Sequence, residues 1–566
     1  MQYKIPNLSS DSTFSFLLHL APSTPSRTMK ERHPDGQDRD AELLASLGYK
    51  QDFKRNFSRL ELFGVGFSMI GVFPSIAGVL VFAIPNGGPV AMVWGWALCG
   101  IFIMCIACAV AELGSAAPTA GGLYYWTYRY ASPRTKNVLS WVVGYLSTFT
   151  YGTATTAVSW ACAVSILAGV SIGSDFSYVP TTGQTFGVFA AVLVFQLFMA
   201  SLPSLIVARL QKLYIALNVL ICFGVIIALP IATPRENMNT ARYVFGSFVN
   251  LSGWPNGFAF ILSFLSPLWT VAAFDAPAHI SEEASNASFA VPYATILSPG
   301  VAVILGWGLN VVLAFCMGTD LESIVGNEIG QPLATIFSNS FGKKGTLAVW
   351  SFTIVVQLFM GAGCLTAGAR LTWAFSRDGA LPYSRYISRL NPYTGMPTYA
   401  TFVTAFLGLA VGLLVFAGPA ATSALFSASL VSIYVTITIA ILARLLGGVE
   451  WAPGPFSMGK YSKPVSIISI IWMALVIMIM SFPNNPDPNA DSMNYTCLIL
   501  GGYIILCLAY YYFPVYGGVN WFKGPVRNVS RAVESASESS GSVGVVSEKE
   551  TEKAKMTVSV EVVEGV

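Results

Sequence analysis

The chain has 566 residues, of which 54% are hydrophobic and only 10% charged, with a mean hydropathy of +0.62. Soluble domains carry roughly 25% charged residues, so this composition excludes a string of soluble domains and implies a polytopic membrane protein. The formal net charge of +3, from 31 Lys+Arg and 28 Asp+Glu, gives no basis for nucleic-acid binding.

In chain order, residues 1–59 read as a polar cytoplasmic tail. The apolar island Phe14–Ala21 is short for a signal peptide and no small-residue cleavage site ends it. Met29 could equally be the start of the chain. A helix spanning the hydrocarbon core needs about 20 apolar residues. Twelve such runs follow, at 62–84, 89–113, 138–171, 186–207, 212–232, 257–281, 291–317, 345–375, 398–417, 420–443, 464–482 and 495–516. Membrane strands would instead alternate polar and apolar residues over ~10-residue segments. Only four charges fall in or at the ends of the runs: Glu112, Lys212, Asp275 and Arg370. All nine cysteines lie inside the runs, at no metal-ligand spacing. They read as small buried hydrophobes, and neither a metal nor a cofactor is implied. Residues 517–566 form a second tail whose Ser, Glu, Lys and Val content reads as disordered. Tail lysines could accept ubiquitin from a ligase, although solubilising charge is the simpler reading.

Orientation follows from lysine and arginine in short loops. With the N-terminus in the cytoplasm, the inner loops hold Arg129, Arg134, Lys136, Arg209, Arg377, Arg385, Arg389, Arg444, Lys460 and Lys463. The outer loops then hold Arg235, Arg242, Lys343 and Lys344. An even helix count places both tails in the cytoplasm. The inner loop SEEASNAS runs against this bias, and its Glu282 and Glu283 read as solvated.

Two runs are interrupted. The first, LFGVGFSMIGVFPSIAGVLVFAI, carries Gly71, Pro74 and Ser75; the sixth, FAFILSFLSPLWTVAAFDAPAHI, carries Pro267, Asp275 and Pro277. Helix breakers persist in a membrane only where the freed backbone groups find partners or line a cavity. Broken helices at matching places in two halves mark a transporter site. The transporter domain, 60–516, then divides into a first repeat at 62–232, an inverted second repeat at 257–443, and two added helices at 464–516.

Five stretches carry a family resemblance: LASLGYKQDFKRNFSRLELFGVGFSMIGVFPS (Leu44–Ser75), NGGPVAMVWGW, AELGSAAPTAGGLYYW, PLWTVAAFDAPAHISEEASNASFAVP and ARLTWAFSRDGALP. Together they resemble the amino acid–polyamine–organocation superfamily, and within it the fungal amino acid/choline transporters that include GABA and choline permeases. The resemblance covers about residues 44–525. It implies an all-α integral membrane protein of twelve helices with the LeuT-type 5+5 inverted repeat and broken helices 1 and 6. It also implies proton-coupled uptake of a small nitrogenous substrate. The stretch AAPTAGGLYYW would take part in gating; read alone, it is a loop whose Tyr124, Tyr125 and Trp126 sit at the membrane interface.

The chemistry can be argued beside the resemblance. Free N–H groups at a half-helix start can hold a substrate carboxylate. That points to Ile70, Gly71, Pro74 and Ser75 in the first break, and to Trp269, Thr270, Phe274 and Asp275 in the sixth run. Ser75 and Thr270 could add hydroxyls, while Trp269 and Phe274 could close over the ligand or stack on a cation. Asp275 is the proton-coupling candidate. An ionised carboxylate at membrane depth costs roughly 2.5–3.5 kcal/mol or more, so it must face a cavity, pair, or hold a proton. The resemblance aligns it with the acidic helix-six position of bacterial arginine/agmatine antiporters. The simpler role is a cap on a broken helix, with His279 as its partner or as an interfacial residue.

The sequence therefore reads as a secondary active transporter importing an amino acid or amine, GABA-like or choline, by alternating access with protons. The plasma membrane is preferred to the vacuolar membrane. The alternatives are a nutrient-sensing transceptor of the same fold, or a permease for polyamines or other amino acids. No nucleophile–base pair suggests an enzyme, and no ring of charges suggests a channel.

Overall fold

The computed structural model describes residues 34–529 apart from 176, 328–329, 484 and 490–492; the expectations for 1–33 and 530–566 lie outside the described residues. The main helices in chain order are α1 (Pro34–Ser46), α2 (Arg59–Ile70), α3 (Val72–Ala83), α4 (Gly88–Ala116), α5 (Leu123–Tyr130) and α6 (Lys136–Gly173). They continue as α7 (Thr182–Ala200), α8 (Ser204–Ala232), α9 (Asn256–Leu262), α10 (Leu265–Thr270), α11 (Ala276–His279) and α12 (Ala287–Cys316). The last six are α13 (Pro332–Arg377), α14 (Thr398–Ala417), α15 (Pro419–Leu446), α16 (Ser462–Ile479), α17 (Thr496–Tyr511) and α18 (Gly518–Trp521).

Ten helices among the described residues are long and apolar enough to cross a membrane, with α2 and α3 together as one of them. The other two apolar runs of the sequence take different forms. The sixth is split into α9, α10 and α11, and the twelfth is the 16-residue α17. The fourth run stops at Ala200 rather than 207, because Pro203 fixes its own φ and biases Leu202 away from helix. The eighth begins early, at Pro332, and bends at Gly342 with φ 65°.

The two interrupted helices are clipped together at both ends. At one end Asn86–Gly87 pairs antiparallel with Val249–Asn250. At the other, Phe57 N–H donates to Glu283 O at 3.0 Å and Ser285 N–H to Phe57 O at 2.9 Å.

The charges in and beside the apolar runs are paired, as burial requires for all of them but the exposed Lys212. Arg444 Nη1 reaches Glu112 Oε2 at 2.7 Å, and Ser462 Oγ donates to the same oxygen at 2.5 Å. Lys212 meets Glu61 at 2.8 Å, and Arg370 Nε meets Glu283 Oε1 at 2.9 Å. Arg377 holds Glu282 with two nitrogens, at 2.9 and 3.0 Å. Glu282 and Glu283 are thus buried ion-pair members and not solvated, because α13 brings an arginine to each. That pairing also resolves the acidic loop that runs against the positive bias.

Composition understates the ordered chain at both ends. Leu44, Leu47, Tyr49, Phe53 and Phe57 are buried before α2. After α17, α18 and the buried Phe522 pack edge-on to Trp141. Residues 517–529 are therefore an ordered strap, in place of the disorder expected there. The aromatics of the AAPTAGG loop are likewise inside the protein and not at an interface. Tyr124, Tyr125 and Trp126 lie on α5, and their polar atoms bond to Asp378, Leu47 O and Ala117 O.

Candidate functional site

The first break rests on one residue. Gly71 sits at φ 50°, ψ 62°, a left-handed conformation that costs glycine little. Its N–H closes α2 on Phe67 O at 3.1 Å. The next half-helix starts at Val72, so the amides of Val72 and Phe73 have no acceptor within their own helix; Pro74 has no N–H. Ser75 Oγ donates to Ile70 O at 2.7 Å, satisfying a carbonyl freed by the break.

The second break is longer. Val271 N–H closes α10 on Pro267 O at 2.9 Å, and α11 resumes at Ala276. Between them Ala273 takes φ 59°, a conformation that costs a residue with a side chain roughly 1–2 kcal/mol. Thr270 Oγ1 donates to Ser266 O at 3.0 Å.

Asp275 follows directly and is 1% exposed. Its Oδ2 lies 3.2 Å from His279 Nε2, one helical turn on, while Oδ1 is buried with no partner among the described residues. His279 Nδ1 lies 2.9 Å from Ala120 O. A carbonyl only accepts, so Nδ1 carries a proton, and the Nε2–Oδ2 contact needs a second one, on either the imidazole or the carboxyl. Ala120 N–H donates to Glu282 Oε1 at 3.1 Å. Ala120 of the AAPTAGG loop therefore holds both His279 and Glu282. Gly122, at φ 49°, permits this approach, since a Cβ there would stand 2.9 Å from the His279 ring.

A cavity of about 60 Å³ lies at the two breaks, lined by Met69, Tyr151, Trp269, Ala272, Ala273 and Met360 among others. That volume holds several waters, and no lining residue carries a formal charge. Of the expected site residues only Trp269 lines it. Ile70, Gly71, Pro74, Ser75, Thr270, Phe274 and Asp275 lie in the break segments without lining it, and the Ser75 and Thr270 hydroxyls serve their own helices. Phe274, expected as a closing aromatic, is buried; Trp269 instead faces Phe426 of α15 at 6.0 Å between ring centroids. Tyr151 links cavity to carboxyl. It lines the cavity, its ring meets the His279 ring edge-on at 5.2 Å, and its buried hydroxyl faces the Asp275 carboxyl outside strict hydrogen-bond geometry. Met69, Met360 and Cys364 could not be singled out from sequence, because helix-packing side chains and cavity-lining ones share the same apolar composition.

Toward the end where the segments 47–57 and 517–529 meet, the site is backed by charge. Arg377 lies over the Tyr49 and Trp373 rings at 4.0 and 4.5 Å while holding Glu282. The adjacent Asp378 accepts from Tyr49 Oη at 2.9 Å, Tyr124 Oη at 2.8 Å and Val526 N–H at 3.2 Å. Burial lifts its carboxyl to about 6, against the pull of Arg377 and these donors.

A family model described as amino acid permease matches residues 57–503. The chain belongs to the amino acid permease family. It is similar to the GABA-specific permease of Saccharomyces cerevisiae, 37% identical over 497 residues that cover 87% of this chain and 86% of that protein. An uncharacterized amino-acid permease of Schizosaccharomyces pombe is 37% identical over 498 residues, covering 88% and 90%. Amino-acid permease 2 of Neurospora crassa is 29% identical over 539 residues, covering 94% and 98%. This permease is therefore a multi-pass membrane transporter and not an enzyme.

Proposed function

We propose that this permease imports a GABA-like amino acid together with protons, by alternating access across twelve helices arranged as a 5+5 inverted repeat. The observation that carries this reading is Asp275, a buried carboxyl that contacts His279 and faces the cavity-lining Tyr151, next to the broken segment that lines the cavity. The free amides of Val72 and Phe73, at the positive end of α3, suit a substrate carboxylate. Gly71 keeps that approach open to the backbone. Met360 stands over it, and its unbranched side chain can swing aside. The Asp275–His279 pair holds a proton that a substrate ammonium can displace. Proton and amine affinity are then coupled reciprocally, as a symporter requires. The 37% identity to a protein named GABA-specific permease supports the substrate class.

Choline is the second reading, favoured by one observation. Tyr151 and Trp269 line a cavity without formal charge, and aromatic faces hold quaternary ammonium groups. The excess of inner-loop arginine and lysine supports cytoplasmic termini, and we assign the plasma membrane in preference to the vacuolar membrane. The deciding experiment is radiolabelled uptake in permease-deficient yeast. The panel holds amino acids, GABA, choline and polyamines, each with and without a protonophore. Concentrative GABA uptake that the protonophore abolishes supports the proposal; choline uptake alone selects the second reading, and uptake of neither rejects both.

A further inference from the structure

A second cavity, of about 340 Å³, opens where the segment before α2, α5 and the strap 517–529 meet. Its walls include Leu47, Tyr125 and Tyr128, with Arg129, Lys136 and Arg527 supplying charge, and no Asp or Glu lines it. None of the three cations has a salt bridge among the described residues. Arg129 and Lys136 are half-buried, so their charges are only partly compensated by water.

The pocket is assembled from both chain ends. Asn528 N–H donates to Gly48 O at 2.9 Å, and Lys50 N–H to Asn528 Oδ1 at 2.6 Å, which fixes the strap that carries Arg527. Gly48, at φ 100°, lets the Arg527 stem lie against the backbone; a Cβ there would stand 2.7 Å from Arg527 Cγ. Gly524, at φ 83°, does the same for the Tyr128 ring. Tyr125 Oη is occupied by Leu47 O at 2.9 Å, so the wall is held in place before any ligand arrives.

We infer that this pocket binds the phosphorylated headgroup of an anionic phospholipid. Lys136 lies over the Tyr128 ring at 4.7 Å and Arg129 over the Tyr130 ring at 5.7 Å, so neither charge is neutralised. Three cations lining one cavity without a carboxylate call for a ligand with more than one negative charge, which phosphate oxygens supply along with acceptors for arginine. Lys136 begins α6, so the pocket sits at one end of a helix long and apolar enough to cross a membrane, and basic pockets in such places take lipid headgroups. By tying the N-terminal segment, α5 and the C-terminal strap to one ligand, the headgroup stabilises the arrangement in which Asp378 is bonded from all three. This inference does not depend on the substrate assignment.

The test uses the full-length protein purified in a neutral detergent. It is titrated with dioctanoyl phosphatidylinositol 4-phosphate, with inositol phosphate as a headgroup without acyl chains, with inorganic phosphate, and with dioctanoyl phosphatidylcholine. Binding is read as a shift in melting temperature and by thermophoresis. Saturable binding of the phosphoinositide alone is expected. It should weaken about fivefold for each of Arg129→Gln, Lys136→Gln and Arg527→Gln, the equivalent of about 1 kcal/mol per basic residue near the surface. Arg129→Lys combined with Arg527→Lys should retain binding within a few-fold, which separates lost charge from lost folding. Equal affinity for phosphatidylcholine, or unchanged affinity in the triple Gln variant with its unliganded melting temperature intact, overturns the site. Inositol phosphate or inorganic phosphate binding as tightly as the lipid overturns the lipid source in favour of a soluble phosphate.

Discussion

The two helix breaks lie side by side, with the cavity between them, but are built differently. Between α2 and α3 the chain departs from helix at one glycine, and the nearest polar side chain, Ser75, is spent on the Ile70 carbonyl. Between α10 and α11 the departure is longer, with Ala273 at positive φ, and it then delivers a carboxylate and a histidine 3.2 Å apart. One break leaves backbone amides without helical acceptors beneath the Met360 side chain. The other carries strain and a titratable pair, a combination that gathers at working sites. Unpaired backbone amides and titratable side chains are thus divided between two segments clipped together at both ends.

The comparison is broken most severely by Asp275→Asn. Asp275 makes no side-chain cap bond to α11, and the amide keeps the size and the acceptor that meet His279, but it cannot carry an alternating charge. Concentrative uptake should fall to equilibration while counterflow exchange persists, with substrate affinity weakened by about 1–3 kcal/mol. A mutant that accumulates label with the parental pH dependence would reduce Asp275 to a structural role.

Next in size is Gly71→Leu. Even a Cβ at this position meets Met360 Sδ at 2.6 Å, and the positive φ adds strain. Uptake should drop about tenfold, the equivalent of about 1.4 kcal/mol, at normal surface level, because the leucine fills the approach to the Val72 and Phe73 amides. Adding Met360→Ala should restore part of the loss. Parental KM and Vmax in the single mutant would move the substrate elsewhere.

Ala273→Gly probes the opposite sign. Glycine relieves the left-handed strain, so thermal unfolding of the purified protein should rise slightly, by the equivalent of about 1 kcal/mol or less once the added unfolded-state entropy is counted. A fall in melting temperature would mean that the Ala273 methyl packs more than its backbone strains.

The smallest expected effect is none. Asn56 precedes α2 and Asn286 follows the sixth-run segment, and the Phe57–Ala284 bridge puts both on one side. With that side cytoplasmic, neither NFS nor NAS should gain a glycan when presented as the sole acceptor in a gel-shift assay. Modification at Asn286 would invert the molecule and expose the His279 half of helix six to the outside.

Much of this protein is legible in its amino-acid order. Apolar length locates nearly all the helices, Gly71 and Pro74 mark the first break, and Asp275 between two prolines marks the second. These are local properties: hydrocarbon thickness, backbone freedom and the cost of an isolated charge act on a residue whatever surrounds it. Partnership is not local. Glu282 and Glu283 read as solvated because the arginines that neutralise them, Arg377 and Arg370, lie about ninety residues away. The tails read as loose because composition does not reveal that Tyr49 and Val526 both bond to Asp378. Trp269 reaches the cavity while Phe274, five residues on, is buried. The direction of an unwound segment depends on what packs against it, and no periodicity encodes that. Sequence alone determined where this chain spans, breaks and carries charge. Tertiary structure decided which charges meet, which aromatic faces the cavity and how the chain ends close, since long-range pairing in a low-dielectric interior depends on neighbours that only folding brings together.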